Sequence, residues 1–148
     1  GSVSIEMALR AWKGQVYAIE KKEDALALLK ENRRKFATDN LEIVPGTAPE
    51  AMVELPVPTH AFIGGSSGNM NEIIRLLLDK NPGVRIVINC ITLETVTEAM
   101  NAIRDFSLTD VDIVQLSAAR SKSIGRYHMM MGENPIYIIS CSGRGEEI

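Results

Sequence analysis

GSVSIEMALRAWKGQVYAIE, residues 1–20, is the stretch that decides the fold class of this 148-residue chain. Apolar residues from Val3 to Trp12 recur at helical spacing and predict a helix with no strand in front of it. The run Val16–Glu20 then predicts a strand that ends in an acid. In open α/β sheets a glycine-rich turn after the first strand approaches a bound cofactor, and an acid after the second strand binds ribose hydroxyls. We therefore interpret Gly1-Ser2 as the end of such a turn and Glu20 as the ribose-binding acid.

The rest of the chain keeps alternating between helix and strand patterns, which is typical of a mostly parallel α/β sheet. The run 85–90 is almost unbroken in apolar residues, as expected of a strand covered on both faces. The predicted elements are helix Lys22–Ala37, strand Leu41–Val44, short helix Pro49–Val53, strand Ala61–Ile63, helix Met70–Lys80, strand Arg85–Cys90, helix Thr92–Asp105 with Thr92 or Thr95 as its cap, strand Asp110–Ala119 and strand Pro135–Cys141.

The last two predicted strands are joined by a polar, Met-rich insertion, residues 120–134, for which a solvated loop is one of two interpretations. Strands connected without a helix are usually antiparallel. The sequence therefore predicts an α/β sheet that is mostly parallel, with one antiparallel strand near the C-terminus. This ending favours the Rossmann-like architecture of class I methyltransferases, with the last strand inserted in the opposite direction.

Composition argues against several classes of protein. The net charge of -3, with 24% charged residues, does not favour a nucleic-acid binder. No apolar run approaches the ~20 residues of a membrane span, and no signal-peptide pattern is present, so we expect a cytoplasmic protein. Cys90 and Cys141 lie in strand-like runs and are expected to be buried free thiols rather than a disulfide. Neither histidine is spaced to join them, so no metal site is predicted.

Several longer motifs resemble a known family. GSVSIEMA, VYAIEKKEDALALLKENRRKF and DNLEIVPGTAPEAM are similar to S-adenosylmethionine-dependent methyltransferases. More narrowly, AFIGGSSGNMNEII, VINCITLETVTEAMNAI and NPIYIISCSGR resemble the T-type module of precorrin-6Y C5,15-methyltransferase. The likeness covers nearly all of the chain, and IGGSSG and NCITLET are its most specific parts.

This resemblance implies methylation of C15 of a precorrin macrocycle and loss of the ring C acetate carboxyl group, in cobalamin biosynthesis. It implies S-adenosyl-L-methionine as cofactor, S-adenosyl-L-homocysteine as product and a tetrapyrrole as substrate. It also implies a homo-oligomer, namely a tetramer, and in some organisms fusion to, or pairing with, a C5-methylating module. No nucleic-acid or membrane partner is expected.

The start of the chain departs from the family pattern. The family begins with a strand, an acid and GAGTGSVSIE, whereas this sequence has only GSVSIE. We expect one methyltransferase domain over residues 1–148, truncated at its N-terminal cofactor motif and lacking strand one.

The resemblance also implies a set of cofactor contacts. Glu20 would accept bonds from the ribose hydroxyls, and Lys21 would either cover the adenine edge or remain solvated. The loop 46–48 would line the adenine, although it also fits a simple turn after Pro45. The glycine turn after Ile63 would lie beside the methionine part of the cofactor. The implied cofactor-binding residues are Gly1, Ser2, Val3, Glu20, Lys21, Gly46, Thr47, Ala48, Ile63, Gly64 and Gly65.

Polar residues after the later strands are candidates for substrate binding. Asn89 is an amide inside an apolar strand and therefore needs hydrogen-bond partners, in the substrate or in a neighbouring loop. Arginine forks match carboxylates, so the basic residues after residue 119 suit a polycarboxylate, although a solvated loop explains them equally well. The Met129–Met131 stripe would pack either on the macrocycle or against the core or another subunit. Packing against the core or another subunit is the favoured interpretation. The substrate-binding candidates are Ser66, Asn89, Thr92, Arg120 and Arg126; the catalytic candidates are Asn89, Glu94 and His128, with Tyr127 as a further proton donor.

Three other functions stay open at this point. A class I methyltransferase acting on another small molecule or on RNA would keep Glu20 and Gly46 but would not need NCITLET. A dinucleotide-dependent oxidoreductase also uses an acid after its second strand, but the antiparallel ending argues against it. A non-catalytic remnant is the third alternative, because of the missing first strand.

Overall fold

The computed structural model describes residues 1–65 and 68–145. The chain folds as two compact units, Gly1–Leu55 and Pro56–Ile148, each with its own sheet. The expectation of one methyltransferase domain over residues 1–148 stays a prediction.

The first unit contains two parallel strands and two helices. Its elements are α1 (Ser2–Arg10), β1 (Val16–Glu20), α2 (Glu23–Lys35), β2 (Leu41–Pro45) and a 3₁₀ turn (Glu50–Met52). The two strands pair in parallel from Val16 opposite Leu41 to Glu20 opposite Pro45. Apolar side chains of both helices and both strands form one buried cluster, which comprises Ile5, Ala8, Val16, Ala18, Leu29 and Leu41.

The end of α1 differs from the sequence-based expectation. Trp12 was expected on the apolar face of the helix, but α1 ends at Arg10 and the Trp12 side chain is 73% exposed. The Asn40 side-chain amide explains this early end, because its Nδ2 donates to the carbonyls of Ala8, Ala11 and Gly14 at 2.9, 2.8 and 3.3 Å. A residue distant in sequence therefore satisfies carbonyls that a longer helix would have bonded internally.

The second unit contains one mixed sheet of four strands and a separate hairpin. Its elements are β3 (His60–Ile63), α3 (Met70–Lys80), β4 (Arg85–Cys90), α4 (Leu93–Asp105), β5 (Thr109–Leu116), β6 (Ala119–Ile124), β7 (Tyr127–Gly132) and β8 (Ile136–Ser142). The strand order is β3-β4-β8-β5, with β3 parallel to β4 and β8 antiparallel to both of its neighbours. The reversed last strand is therefore confirmed. No described helix is both long and apolar enough to cross a membrane.

Burial on β4 alternates, so one face of the strand is fully covered and the other only in part. Ile86, Ile88 and Cys90 are fully buried, whereas the residues between them are half-buried. The half-buried face is polar at its start, since the Arg85 guanidinium donates to the hydroxyls of Ser140 and Ser142 at 3.1 and 3.0 Å. A long cation thus occupies the first position of the strand, on its half-buried face.

Both cysteines are free and buried, as predicted. Burial raises the pKa of the Cys90 thiol, and nearby Glu98 raises it further. Burial also raises the pKa of the Cys141 thiol, although Arg85 partly opposes this shift. Both side chains therefore act as small apolar residues that fill the buried face of the sheet.

Most of the segment 120–134 is a hairpin, so the interpretation as a solvated loop was wrong for residues 120–132. Residues 119–132 form an antiparallel hairpin in which Ala119 pairs with Gly132 and Ile124 with Tyr127. All residues of these two strands are exposed. Their sequence therefore lacks the alternation of apolar and polar residues that marks a half-buried strand, and it resembles that of an irregular loop. Gly125 has a φ of 59° at the first of the two turn positions, where hairpin turns favour glycine.

The Asn40 amide gives a direct test of how α1 ends. Asn40→Ala removes the donor to three carbonyls and should lower the free energy of unfolding by about 1–2 kcal/mol. Urea denaturation followed by circular dichroism measures this change. Asp39→Ala is the matched control, because Asp39 is exposed, and it should stay within about 0.5 kcal/mol of the parent. Equal stability of Asn40→Ala and the parent chain would contradict this account.

Candidate functional site

In the first unit, the carboxyl ends of β1 and β2 lie side by side. Glu20 ends β1 and is paired with Pro45, which ends β2. The Gly46 backbone N–H donates to the Glu20 carbonyl at 3.0 Å. The structure therefore brings together Glu20 and the loop 46–48, two of the segments singled out in the sequence.

The Glu20 carboxylate is held in one orientation by its own backbone. Its Oε1 accepts the N–H groups of Lys21 and Lys22 at 2.9 and 3.0 Å. Lys22 is also the N-cap of α2, so the carboxylate lies at the positive end of that helix. Within the described part of the chain, nothing donates a hydrogen bond to Oε2. One oxygen thus fixes the side chain while the other can accept hydroxyl groups.

The loop after β2 allows close approach to its backbone. Gly46 has a φ of 149°, and a Cβ added there would lie 3.0 Å from the Ala51 Cβ. Thr47 is exposed and its carbonyl accepts the Ala51 N–H at 2.9 Å, whereas Ala48 is half-buried. Side chains here are small or turned to solvent, which suits contact with a flat ring.

The first residues of the chain form the start of α1. Gly1 is the N-cap, and its carbonyl accepts the Ile5 N–H at 3.2 Å. A Cβ at Gly1 would lie 2.8 Å from the Leu29 Cδ1, so glycine permits close packing on α2. Ser2 and Val3 are exposed.

In the second unit, the carboxyl ends of β3 and β4 lie at the same edge of the sheet. Ile63 pairs with Ile88, which puts the Gly64-Gly65 turn next to Asn89 and Cys90. Ile63 is buried, and both glycines are exposed. The predicted substrate contact Ser66 lies outside the described residues.

Asn89 has an unusual environment at this edge. Its Oδ1 is buried and, among the described residues, has no hydrogen-bond partner. An unmet acceptor of this kind costs about 1–3 kcal/mol. The neighbouring Thr92 is occupied, because its Oγ1 accepts the Thr95 N–H at 3.1 Å and caps α4. Glu94 is exposed in the first turn of that helix. Asn89 is therefore a residue at this edge whose side chain, within the described part of the chain, still needs a donor.

The hairpin separates the basic candidates from one another. Cross-strand pairs point to the same side of a hairpin, so the register in β6 and β7 sorts the residues into two faces. We define the cationic face as Arg120, Lys122, Ile124, Tyr127, Met129 and Met131, and the small-residue face as Ala119, Ser121, Ser123, His128, Met130 and Gly132. Arg126 lies in the turn. Arg120, Arg126 and His128 therefore do not form one cluster.

Sequence reasoning missed one residue. Tyr137 is directly opposite Cys90 in the register of β4 and β8, so it lies at the carboxyl end of β4. The signal was available, because an antiparallel last strand must begin at the end where its neighbours finish. Lys122 was among the basic residues that the sequence offered for binding a polycarboxylate, and the two-residue spacing puts it on the same face of the strand as Arg120.

The chain has clear relatives among characterised families. The model of the precorrin methyltransferase domain matches residues 1–142. A cobalt-precorrin-6B C(15)-methyltransferase (decarboxylating) from Salmonella typhimurium is 37% identical over 142 residues, which cover 95% of this chain and 73% of that protein.

Solved structures give the same fold. The precorrin-6Y C5,15-methyltransferase from Geobacter metallireducens has a TM-score of 0.85 at 34% identity, covering 95% of this chain and 75% of that one. Precorrin 8W decarboxylase from Methanobacterium thermoautotrophicum has a TM-score of 0.77 at 38% identity, with 86% and 69% coverage. The Rossmann-like methyltransferase fold predicted from the sequence is thus confirmed.

Gly46 tests the geometry of the loop after β2. Gly46→Ala forces a side chain into a backbone conformation that favours glycine and against Ala51, and should cost on the order of 1–3 kcal/mol in the free energy of unfolding. Gly14→Ala is the control, since its nearest neighbours would be at ordinary contact distances of 3.6 and 3.7 Å. Urea titrations of both variants check this, and equal stabilities would show that the loop is not constrained as described.

Proposed function

The chain belongs to the precorrin methyltransferase domain family, and from this membership we propose that it methylates C15 of a cobalt-precorrin with loss of a carboxyl group, in cobalamin biosynthesis. The single observation that carries the proposal is the match to decarboxylating C(15)-methyltransferases over nearly the whole chain. The name of the Geobacter relative also includes methylation at C5. In this proposal a separate module carries out that second methylation.

The residues at the carboxyl end of β1 fit S-adenosylmethionine. When bound, this cofactor supplies a methyl group on a sulfonium sulfur. Glu20 offers Oε2 to the ribose hydroxyls while Oε1 stays bonded to the backbone amides of Lys21 and Lys22. Carboxylates are acceptor-only groups, so they suit adjacent hydroxyls. The glycine backbone at position 46 lets the adenine approach without a clash.

Within this proposal, the second unit orients the macrocycle. The exposed Gly64-Gly65 turn leaves room for a flat, bulky substrate, and the buried Asn89 Oδ1 accepts a hydrogen bond from it. The nucleophile is an electron-rich carbon of the macrocycle, so the chain's main contribution to methyl transfer is alignment with water excluded. In the decarboxylation, the bond to the departing carboxylate breaks, carbon dioxide leaves, and the bonding electrons pass into the macrocycle. A proton then adds to the remaining methylene carbon, which becomes a methyl group.

The proposal includes self-association. In the described part of the chain, β5 is the last strand of its sheet, and one of its edges pairs with no other strand. Its apolar side chains Val111, Ile113, Val114 and Leu116 are between 41% and 49% exposed. An apolar edge of this length is a ready surface for pairing with another copy. A tetramer, as the family resemblance implies, should appear in sedimentation velocity, and a monomer at micromolar concentration would reject this part of the proposal.

Glu20 provides the test of cofactor binding. Glu20→Ala removes charge-assisted bonds to the ribose and should weaken S-adenosylhomocysteine binding about 10- to 100-fold in isothermal titration calorimetry. Glu20→Gln keeps an acceptor and should lose less. Glu42→Gln, on the exposed side of β2, is the matched control and should bind like the parent.

The reaction itself is tested with S-adenosylmethionine and cobalt-precorrin-6B. Mass spectrometry should detect a product that has gained a methyl group and lost carbon dioxide. Binding of S-adenosylhomocysteine without any such product would refute the substrate. No binding even at millimolar concentration would refute the enzyme and favour a non-catalytic remnant.

A further inference from the structure

The two helices of the first unit end near the starts of β1 and β2. The Asn40 side-chain amide joins the chain segments that follow these helices, because it lies after α2 and donates to the Ala11 and Gly14 carbonyls after α1. Residues 8–15 and 33–40 therefore form one surface. This surface lies at the end of the two strands opposite the proposed cofactor contacts.

Two aromatic side chains protrude from this surface. Trp12 is 73% exposed and Phe36 is 48% exposed. The Lys13 Nζ lies over the Trp12 ring, 4.5 Å from its centroid. The Lys35 Nζ lies in the same way over the Phe36 ring, at 5.6 Å. Each ring therefore reaches solvent together with a cation. We define the basal patch as these four residues and two exposed arginines: Arg10, Trp12, Lys13, Arg34, Lys35 and Phe36.

The charge of this surface is opposite to that of the whole protein. Residues 8–15 and 33–40 contain five of the sixteen basic residues and one of the nineteen acidic ones, Asp39. Arg33 is the basic residue of these segments that lies outside the basal patch; it is half-buried and donates to the Leu41 carbonyl at 3.3 Å. None of the four cations in the basal patch forms an ion pair with a described residue. All four are therefore available to an anionic partner.

Helix capping does not account for these cations. Basic side chains near the end of a helix often bind its last carbonyls. In α1 the Asn40 amide does so instead, at Ala8 and Ala11. In α2 the carbonyls of residues 32–34 accept backbone N–H groups from residues 36–38. No helix end here thus requires a basic side chain as its cap.

A lipid surface fits this combination better than a nucleic acid or a peptide does. Nucleic-acid bases stack on open aromatic faces, but here an ammonium group covers one face of each ring. Peptides that bind by their side chains dock in grooves, whereas Trp12 protrudes into solvent. At a membrane, tryptophan lies at the level of the headgroups, basic side chains bind anionic lipids, and no pocket is needed.

We propose that the basal patch attaches the chain to anionic membrane surfaces. Trp12 and Phe36 enter the headgroup region, and the four cations bind lipid phosphates. The sequence-based expectation of no membrane partner rested on the lack of an apolar run long enough to span a bilayer, and peripheral attachment needs no such run. Because Glu20 and Gly46 lie at the other end of the strands, they stay open to solvent when the chain is attached.

Vesicles of phosphatidylglycerol and phosphatidylcholine in equal parts are the probe, and pure phosphatidylcholine vesicles are the neutral comparison. Cosedimentation of the full chain with the vesicles measures its partition coefficient. The chain should bind the anionic vesicles on the order of 100-fold more tightly than the neutral ones, and added salt should weaken this binding. Trp12 is the single tryptophan of the chain, so its emission should shift to shorter wavelength on binding.

Matched double variants test the charges. K13Q/K35Q removes two cations of the basal patch and should weaken binding to the anionic vesicles about 10- to 30-fold. K122Q/R126Q removes two exposed cations from the hairpin of β6 and β7 and should bind like the parent. The two variants have the same net charge, so a difference between them reports on position and not on total charge.

Matched single variants test the aromatic part. W12S should weaken binding about 5-fold, because it removes a ring that the headgroup region would hold, and W12F should lose less. Y127S is the control, since Tyr127 is 78% exposed on the hairpin, and it should bind like the parent. All of these side chains are exposed, so the variants should keep the parent's midpoint of urea denaturation.

Several results would overturn the inference. They are absence of binding at millimolar lipid, equal binding to neutral vesicles, an equal loss in K122Q/R126Q, or unchanged Trp12 emission on binding. Release of the chain from the vesicles by a short RNA or by polyglutamate at equal charge would favour another polyanion and would also reject it. The affinity of K13Q/K35Q for S-adenosylhomocysteine should equal that of the parent, whether or not the proposed function holds, and a parallel loss of both bindings would contradict the inference.

Discussion

The parallel register between β1 and β2 is the constraint on which the proposed cofactor site depends. It ends both strands at the same level, with Glu20 opposite Pro45, and lets the Gly46 N–H bond to the Glu20 carbonyl. A shift by one residue would move Glu20 to the other face of the strand and break that bond. The apolar cluster between the strands and the helices holds this register, so core packing and the orientation of the acid are linked.

Polar groups outside the regular hydrogen-bond ladders show how the two units are specialised. In the first unit the Glu20 carboxylate is already bound to two amides, so little ordering is needed when a ligand arrives. In the second unit the Asn89 Oδ1 is buried without a described partner, an arrangement that a ligand donor would stabilise. The first unit therefore has a carboxylate acceptor that is already oriented, and the second unit has an amide oxygen that lacks a described donor.

Most of the fold could be predicted from the sequence, because helix and strand periods are local properties. The reversed last strand followed from a missing helix pattern between two strands, and the Thr92 cap followed from its position before the helix. The end of α1 could not be predicted, since it depends on Asn40, far along the chain.

The hairpin was missed because exposed strands lack a buried face, and polarity alone does not separate them from loops. The sequence also could not show which basic residues share a face of the hairpin, because that depends on how the two strands pair.

The most direct test of the central claim is hydrogen–deuterium exchange of the chain with and without S-adenosylhomocysteine. If the ends of β1 and β2 hold the adenosine, peptides covering residues 16–24 and 42–50 should both exchange more slowly in its presence. Unchanged exchange in both peptides, with slower exchange elsewhere in the chain, would contradict the account.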